Sequence, residues 1–593
     1  MKPQFFLCLG MMVLVFVAVT SQVQSAPLTV EPATTGSEIQ TSGQAIHAQG
    51  LADTPTPPQP AEGAAIEAVA DEDGWVTVAT GIAYKKFHLK DPNKIHVARM
   101  ERGNPDVILE SSIGQGRLAS GKETVSGMAK RYDQVMNYWG GAWGARNKVV
   151  VAVNGYYFEP ISGVPYQGQI HSGWYAKRFD DCQTGSGGSG FAWKSDRSAF
   201  IGGTVSHPED KQSVTFLKSG KIETISGINV SRGTDQLILY TPQYDSDTHT
   251  DNYGVEVLVE LLQPDLLSKG LVTGIVREIR NNAGSTPIPF DHVVLSANGT
   301  AKSKLLNNVE VGDEIAISHK IKDFVDGCGS AVSSLDWNGA YASIGGAFYF
   351  LKDGEVYGFP NDSGATARHP RTAIAYNEEY IYFIVVDGRD PYLSIGMTIA
   401  ELGAFTRDTL GAHWGIAQDG GGSSTMVINN VVMNNTYCNN VFCSTKIYLP
   451  LTVGGNTSDE LAAELEAEQP SALAPAPYPA GGDSNLVLTT AVERLVANGM
   501  LMVVVEPVSR SERYAPGSSI RAVDQVEIRL GPGTNYGVLA YADPDAEGIV
   551  VDHLNQLNGV YATGSYWWKV NLNGATGWVT GWVKEEALAQ PGS

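Results

Sequence analysis

The chain has little of what most sequence signatures of chemistry require. Its 593 residues include only five cysteines, and no Cys-x-x-Cys, His-Glu-x-x-His or EF-hand spacing occurs, so no motif builds a dedicated metal site. An acidic chain is compatible with a bound calcium, but nothing here demands one, and no cofactor is called for. Positive charge is also scarce: 41 Lys and Arg face 63 Asp and Glu, for a formal charge of -22. That balance argues against nucleic acid, which basic surfaces bind. An anionic substrate would be repelled at long range and would need local arginines and backbone donors to capture it. Beyond the first twenty residues, no apolar run reaches the length of a membrane-spanning helix. Helical periodicity is rare throughout.

What is present begins with an address. Lys2 precedes the apolar run from Phe5 to Thr20, and Ser21, Ser25 and Ala26 follow, which reads as a signal peptide over residues 1–25. An uncleaved N-terminal anchor is the alternative. Either way the protein is expected to be secreted or associated with the cell envelope. Cys8 leaves with a cleaved signal, and Cys182, Cys328, Cys438 and Cys443 remain. An even count in an exported chain favours disulfides. Cys438 and Cys443 are near enough to close a small loop, which makes Cys182–Cys328 the default second bridge, although three pairings stay open.

A chain of this length exceeds one hydrophobic core. Residues 26–73 lack apolar periodicity and read as a disordered tether, and residues 456–484 read as a linker. Between them, residues 74–455 carry many strand-like runs bounded by Gly, Asn and Asp. The clearest helix is Thr398 to Leu410, where Thr398 and Glu401 match a capping box. The expectation is an α+β fold, a strand-rich mixed catalytic domain followed by a small all-β barrel. That barrel is read from residues 485–593, which contain Arg529-Leu530-Gly531-Pro532-Gly533, Trp568-Lys569-Val570 and Gly577-Trp578-Val579. They resemble a bacterial SH3-like domain, and the resemblance implies a cell-wall peptide as ligand. A passive barrel with core tryptophans is the alternative.

The stretch richest in chemistry is Gln418-Asp419-Gly420-Gly421-Gly422-Ser423-Ser424-Thr425. Glycines without side chains let backbone N–H groups crowd around an anion. No Gly-x-Ser-x-Gly elbow surrounds Ser423 and Ser424, so they read as hydrogen-bond donors and not as nucleophiles. Upstream lie Asn154-Gly155-Tyr156-Tyr157-Phe158, Arg371-Thr372 and Asp387-Gly388-Arg389, and His369 is the better placed of the nearby histidines. The glycine run 185–190 satisfies GxGxxG, but it follows no strand and precedes no helix, so it reads as a loop.

In order and spacing these segments resemble the phosphodiester glycosidase family, with Tyr156 and Tyr157 standing where that family usually has Gly and Phe. The resemblance implies an exported hydrolase acting on a sugar-1-phosphodiester. Cleavage of the sugar C–O bond releases a phosphate monoester, which leaves readily once its charge is balanced. Arg371 and Arg389 suit that duty, since guanidinium meets phosphate oxygens two at a time. A carboxylate must then activate water or attack the anomeric carbon, and Asp387, Asp419 and Glu401 are the candidates. Glu401 also has a sufficient role in its capping box. Asn154, Arg371, Arg389, Gly420, Gly421, Gly422, Ser423, Ser424 and Thr425 are the expected substrate-binding set, for a glycan or sugar-phosphate substrate. A non-catalytic envelope-glycan binding protein, using the same apparatus without cleavage, is the alternative.

Overall fold

A computed structural model describes residues 74–132, 137–139, 142–144, 147–179, 182, 188–207, 212–262, 270–325, 327–436, 443–448, 491–506, 508–554, 557–575 and 577–591. The signal peptide, the tether, the linker and Cys438 lie outside them, as does the Cys443 side chain. Cys182 and Cys328 form a disulfide, with Cα atoms 5.3 Å apart.

The fold is essentially all-β, which corrects the α+β expectation. Among the described residues there are four helices, α1 (Val125–Tyr132), α2 (Gly299–Leu306), α3 (Ser363–Thr366) and α4 (Ile399–Asp408), none longer than 10 residues. The capping box at Thr398 and Glu401 is real, with both of its hydrogen bonds formed. One well-capped helix does not make a helical layer, however. The long apolar runs between turns pair as strands, and nearly all the pairing is antiparallel. The glycine run also departs from a loop reading, because Gly188 opens the strand Gly188–Lys194.

An eight-stranded sheet carries the hairpin Arg371–Tyr376 and Tyr380–Val386 at its centre, flanked by Asn93–Glu101 and Trp414–Ala417. Apart from the partly buried Tyr380, its central strands are buried along their length because both faces are covered. One face packs on α4 through Val97, Ala375, Ile384 and Leu402. The other packs against a five-stranded sheet through Phe383, Val385, Val151 and Met426.

That five-stranded sheet runs Val431–Val432, Met426–Ile428, Asn147–Asn154, Asn498–Val505, Val107–Ile113. Its fourth strand comes from beyond the linker and pairs on both sides, Gly499 with Asn154 and with Ser112. The lead-in to the C-terminal segment is thus an interior strand of the body. A further eight-stranded sheet around Val257, Leu295 and Ile317 forms its own core, and the C-terminal strands curl around Ile520, Ile528, Trp568 and Val583.

Candidate functional site

Three strand ends of the two facing sheets meet at the glycine loop, and Asn154 joins them. Its Nδ2 donates to the Asp419 carbonyl at 2.7 Å and the Gly155 carbonyl at 3.3 Å. Its Oδ1 accepts from Thr372 Oγ1 at 2.7 Å and from the Thr425 N–H at 3.1 Å. The carboxamide is fully committed to protein, so Asn154 clamps the loop and has no bond to spare for a sugar hydroxyl. Asn154→Ala would leave several buried groups unpaired and is expected to cost about 2–4 kcal/mol, read as a fall in Tm by calorimetry. An unchanged Tm would mean that the carboxamide is not a clamp.

Close packing explains the glycines. A Cβ on Gly420 would lie 2.7 Å from the Pro370 carbonyl oxygen, and Gly421, at φ 64°, is covered by the Arg389 guanidinium, 2.9 Å from where its Cβ would be. Ser423, Ser424 and Thr425 are all buried, and the hydroxyls of Ser424 and Thr425 have no hydrogen-bond partner.

Asp419 is only 5% exposed. Burial pushes its carboxyl up to about 6, against opposing pulls from Ser423, Arg494 and the Gly420 N–H. Ser423 Oγ donates to Asp419 Oδ2 at 2.6 Å and accepts from Arg494 Nη1 at 3.1 Å. Tyr157, partly exposed beside them, has its phenol pushed up to about 12 by burial and then by the Asp419 charge, with Arg371 opposing. Tyr157 therefore lies within electrostatic reach of both the buried carboxyl and Arg371.

Arg371 is itself buried. Its Nε donates to the Met397 carbonyl at 2.8 Å, and its Nη2 to the carbonyls of Gly364 at 2.7 Å and Ala367 at 2.6 Å. These bonds fix the guanidinium plane. Arg389 is exposed and holds φ 65°, a left-handed conformation that costs a non-glycine residue about 1–2 kcal/mol. Half-buried His369 lies near both: burial first, then the charges of Arg371 and Arg389, hold its imidazole below the usual value. Both guanidinium charges therefore reach His369.

Asp387 stands differently. Arg371 pairs across the hairpin with Val386, and both face α4. Asp387, one residue further, points to the opposite face. There its Oδ1 accepts from the Asn435 N–H at 3.0 Å, and its Oδ2 lies 3.5 Å from His96 Nε2. His96 Nδ1 in turn meets the Tyr84 hydroxyl at 2.8 Å. Asn434, next to Asn435, holds the loop from beneath, donating to the Ser424 carbonyl at 2.9 Å. Asp387 thus braces the underside of the glycine loop.

Glu401 accepts from the Thr398 N–H at 2.9 Å and is ion-paired with Arg368. Both of its oxygens have structural partners, so it caps α4.

The sequence reading missed Arg494, Tyr84 and His96. Arg494 carries no local signal, since it lies beyond the linker and reaches Ser423 only through sheet pairing. His96 and Tyr84 sit in ordinary strands and gain meaning only from the register that brings Val385 opposite His96.

Residues 271–448 match the family model of the phosphodiester glycosidases. The matched segment includes Arg371, Asp387, Arg389, Glu401 and the glycine loop, and leaves Asn154 and Arg494 outside. Among solved structures, a hypothetical protein from Synechocystis is 14% identical with a TM-score of 0.42, the alignment covering 72% of this chain and 63% of that one. The present chain therefore spans less than two thirds of that protein's length. The catalytic domain of zebrafish N-acetylglucosamine-1-phosphodiester alpha-N-acetylglucosaminidase, auto-inhibited by its pro-peptide, is 14% identical with a TM-score of 0.28, over 60% of this chain and 75% of that one. No curated protein matches this chain significantly.

Proposed function

We propose that the protein is an exported hydrolase that cleaves a sugar-1-phosphodiester at the anomeric C–O bond. The observation that carries this reading is the pairing of a buried carboxyl, Asp419, with an arginine-covered glycine loop in a segment matching the phosphodiester glycosidases. Phosphate oxygens lie against Arg389 and the Gly420–Gly422 backbone, and Arg371 with His369 closes the same side. Asp419, steadied through Oδ2 by Ser423, presents its other oxygen to the anomeric carbon or to a water that attacks it. Asp387 holds the loop from behind, and Arg494 orients Ser423. A cell-wall peptide as ligand of the C-terminal barrel remains part of this proposal, resting on its SH3-like sequence.

The test incubates the purified protein with N-acetylglucosamine-1-phospho-methylmannoside and measures free sugar. Because Asp419 acts ionised, kcat/KM is expected to rise with pH through about 6 and then level off. Binding without turnover across several sugar-phosphodiesters would instead identify a glycan-binding protein.

A further inference from the structure

A cleft of about 300 Å³ lies apart from the glycine loop, where the turn after the strand Val107–Ile113, the turn at Ser172 and the C-terminal segment around Tyr536 come together. Nothing in the reaction proposed above uses it. Two of its lining residues hold left-handed backbone conformations without being glycine, Gln115 at φ 62° and Ser172 at φ 49°. Each costs about 1–2 kcal/mol, and such residues persist only where their surroundings enforce them, often at ligand sites.

The enforcement is visible. The Gln115 N–H donates to Glu123 Oε2 at 2.9 Å and its Nε2 to the Lys122 carbonyl at 3.1 Å. Ser172 donates its N–H to Glu110 Oε1 at 2.9 Å and its hydroxyl to Glu110 Oε2 at 2.8 Å. Glu110 is wholly buried and also accepts from the Tyr132 hydroxyl at 3.0 Å. The same anchor orients His171, whose Nδ1 lies 3.5 Å from Glu110 Oε1 and donates to the Ser111 carbonyl. In the neutral ring Nε2 then carries the lone pair. That atom has no partner among the described residues, and His171 lines the cleft.

The lining chemistry specifies the ligand class. Arg117 and Asp245 are paired at 3.0 Å, and Arg131 is paired with Glu123 at 3.0 Å, so each cation is already balanced by a carboxylate. A phosphate or polyanion finds no surplus positive charge there, and the chain as a whole repels it. The cleft wall instead carries His171 Nε2 and the charge-balanced pair of Arg117 and Asp245, whose carboxylate is also bonded by the Ser246 N–H and His249, with the buried Trp174 and the partly buried Tyr536 set into it. A small cleft lined by polar groups without surplus charge suits the hydroxyls of a saturated ring better than an anion.

We propose that this cleft is a second carbohydrate site, distinct from the glycine loop, that takes one or two residues of a neutral oligosaccharide chain. It would hold the protein on a glycan while the glycine loop acts elsewhere on the same polymer. The test is calorimetric titration of the full chain with chitotetraose and with maltotetraose. Binding of one of them with a Kd between about 10 µM and 1 mM is expected. Thr534 is exposed at the lip, so Thr534→Trp fills the mouth without disturbing the core. It should weaken binding at least tenfold and leave sugar-phosphodiester turnover unchanged, while His171→Gln should weaken binding with the fold intact by circular dichroism. No binding of either sugar at about 10 mM, or binding that Thr534→Trp does not change, would overturn the proposal.

Discussion

Asp419→Asn is expected to lower turnover on the order of a thousandfold while making the protein more stable at neutral pH. The first effect follows from the loss of the ionised oxygen. The second follows from burial, which raises the carboxyl from the ordinary 3.8 to about 6 in the fold. A folded pKa above the unfolded one means that the native state prefers the protonated form. Stability from this site is therefore fully present below about pH 4 and is lost as pH rises towards 6, leaving a deficit on the order of 3 kcal/mol above it. Asparagine is uncharged at all pH values and removes that deficit, less whatever its weaker acceptor loses at Ser423. Denaturant titrations at pH 4 and pH 8 should show the variant gaining on the parent only at the higher pH. Equal stabilities at both, with turnover within tenfold of the parent, would remove Asp419 from the centre of the mechanism.

Ending the chain before residue 491 is expected to abolish folding of the body, even though residues 271–448 match the family on their own. The strand Asn498–Val505 lies between Asn147–Asn154 and Val107–Ile113, and Met500, Leu501, Met502 and Val503 are fully buried. Its loss would strip the interior strand Asn147–Asn154 of half its ladder bonds, leave the edge strand Val107–Ile113 with no partner in the sheet, and empty the middle of the core. Each large side chain removed from such a position costs about 2–5 kcal/mol, so four exceed the whole stability of a typical domain. The truncated chain should be insoluble or lack a cooperative thermal transition. A soluble, cooperatively melting product would show that the sheet tolerates the gap. The same segment delivers Arg494 to Ser423, so structure and site depend on it together.

The residues facing the glycine loop were largely legible because their chemistry is local. Asp419 followed by three glycines, Arg389 after Asp387-Gly388, and Arg371 across a short hairpin all announce themselves by type and spacing. What escaped was set by pairing at long range. Asp387 is a candidate carboxylate by type and place in sequence, yet the one-residue offset from Val386 turns it to the face opposite Arg371. Asn154, in an Asn-Gly pair, could bind a sugar hydroxyl or hold a strained turn, and the strand bearing it meets the loop so closely that its amide is consumed in holding Asp419, Thr372 and Thr425. The helix at Thr398 was legible from its capping box, and its clarity pulled the fold reading towards α+β in a chain whose other elements pair as strands. The interior strand after the linker carried no mark, because a composition break in sequence is not a break in a sheet.

The account stands most directly on which bond breaks. Hydrolysis of N-acetylglucosamine-1-phospho-methylmannoside in 18O-labelled water, followed by mass spectrometry of both products, reads this out. Attack at the anomeric carbon places the label in the released sugar and leaves the methylmannose phosphate unlabelled. Label in the phosphate would mean attack at phosphorus, and would contradict the roles given to Asp419 and to the arginine-covered loop.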